Sequence, residues 1–150
     1  MLHSRYRSMC RNCFLVSTLI IACLPGGSSA SKDERVFVEL PQMMQEHMLS
    51  NMRDHLAAIN EILFNLSNDE LDKAAEIAEY RLGMSSLESH GASHMAQFMP
   101  EGMRQAGTAM HKAASRFALK AQEGDVLTAY KALSGITSAC VACHAGYKVK

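Results

Sequence analysis

The chain has 150 residues, fifteen Lys plus Arg against fifteen Asp plus Glu, and a hydrophobic share of 48%. That length suits one domain, able to remove roughly 70% of its unfolded surface from water. The neutral balance takes away the electrostatic motive of a general nucleic-acid binder, and the apolar share excludes a disordered chain. Against this ordinary background stand five cysteines and eleven methionines without a tryptophan.

The first thirty residues read as an export signal. Arg5, Arg7 and Arg11 make a basic start, Cys13 to Leu24 is almost wholly apolar, and Pro25-Gly26-Gly27-Ser28-Ser29-Ala30 ends in small residues suited to cleavage after Ala30. An apolar run of about twelve residues is too short for a spanning helix, which needs about 20. Ile20-Ile21-Ala22-Cys23 is similar to a lipobox, so lipidation at Cys23 is the one route by which this reading attaches the protein to a membrane. Both routes export the domain, residues 31–150. Removing the signal leaves twelve basic against fifteen acidic residues, a net of minus three, and only Cys140 and Cys143.

The exported part reads as helix almost throughout. Met44, Met48, Met52, Leu56, Ile59, Leu63 and Leu66 recur at intervals of three and four, which predicts a helix from Pro41 to Leu66. Ser67-Asn68-Asp69-Glu70 has a capping-box pattern and predicts a second helix, with Leu71, Ala74, Ala75, Ala78 and Leu82 inward and Gly83 as its stop. Met84 to Met99, rich in Ser, Gly and His, reads as a long connection with one short helical piece. Pro100 opens a third helix with the face Met103, Ala106, Met110, Ala113, Ala114, Phe117 and Ala121, ended by Gly124. Asp125 is placed as N-cap of a fourth, with the stripe Val126, Tyr130, Leu133, Thr137, Cys140, His144 and Tyr147. No strand is expected. Four amphipathic helices with three connections predict an all-α, antiparallel four-helix bundle.

The chemical signal is Cys140-Val141-Ala142-Cys143-His144 near the end of the last helix. In this motif two thiols form thioether bonds to a haem and the adjacent imidazole supplies an axial nitrogen to the iron. Spacings of three, one and four bring Cys140, Cys143 and His144 onto one helical face. A zinc site would need a second thiolate pair, and a thioredoxin-like dithiol would need alternating strands and helices around it; neither is present in the sequence. Covalent haem c is the expected cofactor.

A Cys-x-x-Cys-His motif within the last dozen residues of a four-helix chain, followed by Tyr147 and Lys148, resembles the class II cytochromes c, cytochrome c′ and its low-spin Met-ligated relatives. The resemblance implies a left-handed bundle enclosing one haem, His144 as proximal ligand, a first-helix residue on the opposite side, and often a homodimer. Met44-Gln45-Glu46-His47-Met48 is the closest match to that family's first-helix pattern, with Met44 where an Arg is usual. It makes Met48 the first choice of distal iron ligand, with Met52 one turn on as the alternative.

Other candidates remain beside these. His55 and His111 read as surface or hydrogen-bonded histidines, His90 and His94 as a metal pair that Gly91 argues against, and Arg53, Lys112 and Arg116 as cations within reach of a propionate. The expected function is single-electron transfer in the periplasm, with redox proteins and the cytochrome c maturation machinery as partners. The alternative is a five-coordinate haem that binds nitric oxide or carbon monoxide. Neither is an enzyme; a peroxidase would need a positioned acid or base above the iron.

Overall fold

The computed structural model describes residues 32–149; the export signal, its cleavage after Ala30 and the lipidation site Cys23 lie outside the described residues. Five α-helices follow in chain order: α1 (Gln42–Ser67), α2 (Leu71–Arg81), α3 (Ala92–Met95), α4 (Glu101–Ala121) and α5 (Val126–Gly146). Single 3₁₀ turns at Met84–Ser86 and Ala96–Phe98 flank α3. The protein is all-α apart from one feature the sequence did not announce. β1 (Val36–Phe37) and β2 (Tyr147–Lys148) pair in parallel, Val36 opposite Tyr147, tying the two ends of the described chain together.

Helix ends follow local chemistry in some places and not in others. Asp125 caps α5 as expected, its carboxylate accepting from the backbone N–H of Leu127 at 2.9 Å and Thr128 at 3.3 Å. The expected capping box does not form. Ser67 belongs to α1, where its hydroxyl donates to the Phe64 carbonyl, and Asp69 turns the chain in the left-handed region at φ 59°. A short polar side chain tolerates that conformation. Arg81 then bonds α2 back to α1 by ion pairs to Asp54 at 2.6 Å and Glu61 at 2.8 Å.

The long helices lie in the contact order α1, α2, α4, α5, and α5 hardly touches α1. Their core is alanine-rich: Ala58, Ala74, Ala75, Ala78, Ala113, Ala114, Ala118, Ala121 and Ala129 are buried, with Phe117, Ile62, Leu82 and Ile136 as the large fillers. Small side chains let helix axes approach closely, so the few large residues carry most of the apolar burial. A second, separate cluster holds Val38, Met48, Met95 and Met103, with Met52, Met99, Cys143 and Tyr147 packed against it.

Two expected faces are displaced. On α1 the buried residues are Met48, His55, Ala58, Ile62, Asn65 and Leu66, whereas Leu56 is 73% exposed and Leu63 half-exposed. The apolar pattern located the helix and placed Met48 and Leu66 inward, but at Leu56 and Leu63 the inward position is one residue earlier, at His55 and Ile62. On α5 the buried residues are Ala129, Leu133 and Ile136, and Thr137 and His144 of the expected stripe are exposed. α5 is apolar on every side, so its sequence pattern selects no face. By length and composition it is the one helix among the described residues that is long and apolar enough to cross a membrane; here it packs along α4 and leaves much of its remaining surface uncovered.

Phe117 is wholly buried at the centre of the alanine-rich core, while Leu119 two residues on is 66% exposed. Phe117→Ala is expected to lower unfolding free energy by about 3–5 kcal/mol through lost burial and the cavity left behind. Leu119→Ala is expected to stay within about 0.5 kcal/mol of the parent. Urea denaturation followed by circular dichroism measures both.

Candidate functional site

The C-terminal half of α5 carries Cys140, Cys143 and His144 past the alanine-rich core. Cys140 packs against that core and Cys143 against the methionine cluster, so the motif straddles the boundary between the two. Both thiols are free and half-buried. Burial raises the pKa of each, and for Cys143 the neighbouring Cys140 adds to the rise. That is the opposite of the lowered value of a redox-active dithiol.

Between α5 and α1 lies a cavity of about 420 Å³, within the range of small-molecule sites. Cys143, His144 and Tyr147 line one side; Met48, Met52 and His55 from α1 line another. Met95 and Met99 from the α3 region and Met103, Gly107 and Met110 from α4 add to the walls. Six thioethers therefore surround one space. Gly107 leaves open room on its wall, since a Cβ there would meet nothing within 4 Å. Gly102 does the reverse: the Tyr147 hydroxyl occupies the place its Cβ would take, so a side chain there would push the tyrosine ring aside.

Of the residues singled out in the sequence, Met48 is buried and Met52 half-buried, and both line the cavity together with Cys143 and His144. His144 is exposed at this edge, and Cys140 is not on the wall. Arg53, Lys112 and Arg116 are exposed and do not line it. The cations that do are Arg35 and Lys148, which the β1–β2 pairing brings together. Both donate to the Asp33 carboxylate, at 2.8 and 3.0 Å, and they hold its pKa well below the usual carboxylate range. No local pattern announces them, because the pairing joins residues more than a hundred positions apart.

The histidines depart furthest from expectation. His94 is exposed, so it forms no pair with His90. His90 is buried and gathers instead with His55 and His111, ring centres 4.8, 5.4 and 6.2 Å apart. Gly91, at φ 62°, opens α3 directly after His90. His111 Nδ1 donates to the Leu82 carbonyl at 2.7 Å. The Ser86 hydroxyl gives its proton to the Gly83 carbonyl at 2.7 Å, which leaves its lone pairs for His90 Nδ1 at 3.3 Å. These contacts favour Nδ1–H tautomers with Nε2 unprotonated for both rings. His55 Nε2 is the one buried side-chain nitrogen or oxygen among the described residues without a hydrogen-bond partner. No three His, Cys, Asp or Glu among the described residues are arranged to hold a metal ion by themselves.

Comparisons with protein-family models, with curated proteins and with solved structures found no match. The case for the site therefore rests on its chemistry. The cavity would admit a largely apolar group: its walls carry neutral sulfur and nitrogen donors, Gly107 leaves open space, and of the motif Cys143 and His144 line it while Cys140 does not.

Burial pushes the His55 pKa down to about 4, helped by His90 and His111 and opposed by Asp54; His90 and His111 are lowered by burial as well. Between about pH 6.5 and about pH 4 the unfolded chain therefore binds more protons than the folded one, so stability falls as pH is lowered through that window. The urea midpoint is expected to drop between about pH 7 and about pH 4.5. His55→Leu is expected to flatten this slope; an unchanged slope in that variant would show that His55 does not carry it.

Proposed function

We propose that residues 31–150 form a cytochrome c′-like four-helix bundle with one covalently bound haem c, and that the protein is an exported, periplasmic single-electron carrier. The observation that carries this reading is the cavity between α1 and α5, where Cys143 and His144 stand on one wall and Met48 and Met52 on another. In this reading Cys140 and Cys143 would hold the haem by thioether bonds, and His144 and Met48, or Met52 in its place, would ligate the iron. The haem supplies a one-electron iron couple.

The chain's own residues give that couple its setting. Met48 is buried, offers a neutral sulfur and has no proton to exchange. The thioether-lined walls are apolar and uncharged, and an environment that changes little with oxidation state suits electron transfer. Arg35 and Lys148, which share Asp33 between them, leave one net positive charge at one edge, suited to a propionate carboxylate. The net charge of minus three outside the signal favours a redox partner with a basic patch. The reading includes the cytochrome c maturation machinery as a transient partner, a homodimer as an assembly state, and membrane attachment only through Cys23. The open space at Gly107 supports a second reading, a five-coordinate haem binding nitric oxide or carbon monoxide.

Mass spectrometry of the exported protein is expected to show one added haem, and normal covalent haem in Cys140→Ser or Cys143→Ser would refute the attachment scheme. The ferric visible spectrum is expected to be low-spin in the wild type and high-spin in Met48→Ala. If Met52→Ala rather than Met48→Ala makes that change, the alternative ligand is the true one. A wild type already high-spin selects the gas-binding reading.

A further inference from the structure

We propose that His55, His90 and His111, with the methionine sulfurs of the same cavity, form a binding site for a soft monovalent cation, Cu(I), separate from the α5 motif. The proposal uses none of the residues that would attach haem, because none of the three imidazoles lies on α5; it shares the cavity and Met52 with that reading. They come instead from α1, from the turn before α3, and from α4.

Three imidazoles each more than nine-tenths buried are costly to place together unless their lone pairs are used. Two are prepared for that use. His111 and His90 are held through Nδ1 by a carbonyl and a hydroxyl, contacts that favour the tautomer with an unprotonated Nε2, the arrangement by which ligating histidines are oriented. His55 Nε2 is buried and has no partner within the protein. Two imidazoles bound to one ion at about 2.0–2.1 Å hold their ring centres about 5 Å apart, close to the 4.8 and 5.4 Å seen for His90 with His55 and with His111, while His55 and His111 stand wider, at 6.2 Å.

The nitrogens alone do not complete a site. Thioethers share the cavity with them: Met52 lies one turn before His55 on α1, Met110 directly precedes His111 on α4, and Met95 follows His90 in the α3 segment, all on its walls. Mixed imidazole and thioether donors select a soft ion. Every one of these donors is neutral, and the carboxylate that acts on His55, Asp54, is already paired with Arg81 at 2.6 Å. A divalent ion would keep its charge uncompensated in a buried place, whereas a monovalent ion carries the smaller desolvation penalty.

The test uses the full exported protein with whatever haem it carries, titrated anaerobically with Cu(I) against a coloured Cu(I) chelator. One equivalent is expected to stay with the wild type, and His55→Ala and His90→Ala are each expected to weaken retention by at least about tenfold. His94→Ala, whose imidazole is exposed and off the cavity, is expected to match the wild type. Circular dichroism checks that each variant is folded. Should a histidine variant fail to fold, the wild type alone decides: Ag(I) is expected to shift the methyl resonances of cavity methionines and not that of Met43, which is 80% exposed. Complete loss of copper to the chelator, equal retention in the histidine variants, tighter binding of Zn(II) than of Cu(I), or loss of retention in Cys140→Ser and Cys143→Ser instead would each overturn the site. A wild type without haem that still holds Cu(I) would refute the cytochrome reading and leave this one standing.

Discussion

Close packing of α5 on α4 is the constraint on which the rest depends. Alanines on both helices, Ala113 and Ala114 on one and Ala129 on the other, sit in a shared core with Phe117, Leu133 and Ile136. This anchors the N-terminal half of α5 firmly and fixes the direction in which its C-terminal half runs. Because α5 hardly meets α1, that second half borders a gap instead of a neighbouring helix. The motif residues therefore lie at the edge of a cavity as a consequence of where the alanine-rich core stops.

The cavity is lined by residues of unusual adaptability. Methionine side chains are unbranched and polarisable, so they can pack against a flat guest or against one another without demanding one shape. Two cores of different character result. The alanine-rich one is tight and sets helix positions; the methionine-rich one is soft and faces the open space. The β1–β2 pairing closes one side of that space and delivers Arg35 and Lys148 to it, giving an apolar chamber a charged edge.

Buried histidines make the second departure from an ordinary helical domain. A core position occupied by an imidazole with an unpartnered nitrogen is destabilising, by about 1–3 kcal/mol for such a group. Its presence beside two further imidazoles, both held through Nδ1, describes a region arranged for something other than stability. Of the two readings only the Cu(I) site gives these imidazoles a use; it shares the cavity, and Met52, with the haem reading.

Much of the architecture was legible in the sequence. The periodicity of α1, the Pro100 start of α4 and the Asp125 cap of α5 are local signals, set by hydrogen bonding and side-chain spacing within a few residues, and they gave helix positions to within about a residue. The chemistry of Cys140, Cys143 and His144 was equally local, because their spacing alone places them on one helical turn. What the sequence could not settle was orientation about the helix axes. α1 offers Leu56 as well as His55, and α5 is apolar all round, so the inward face is chosen by α2 and α4 and not by α1 or α5 themselves. The gathering of His55, His90 and His111, and the pairing of Val36 with Tyr147, join residues far apart in the chain. Only tertiary packing decides such contacts, because their energy exists only once separate helices have closed around the same space.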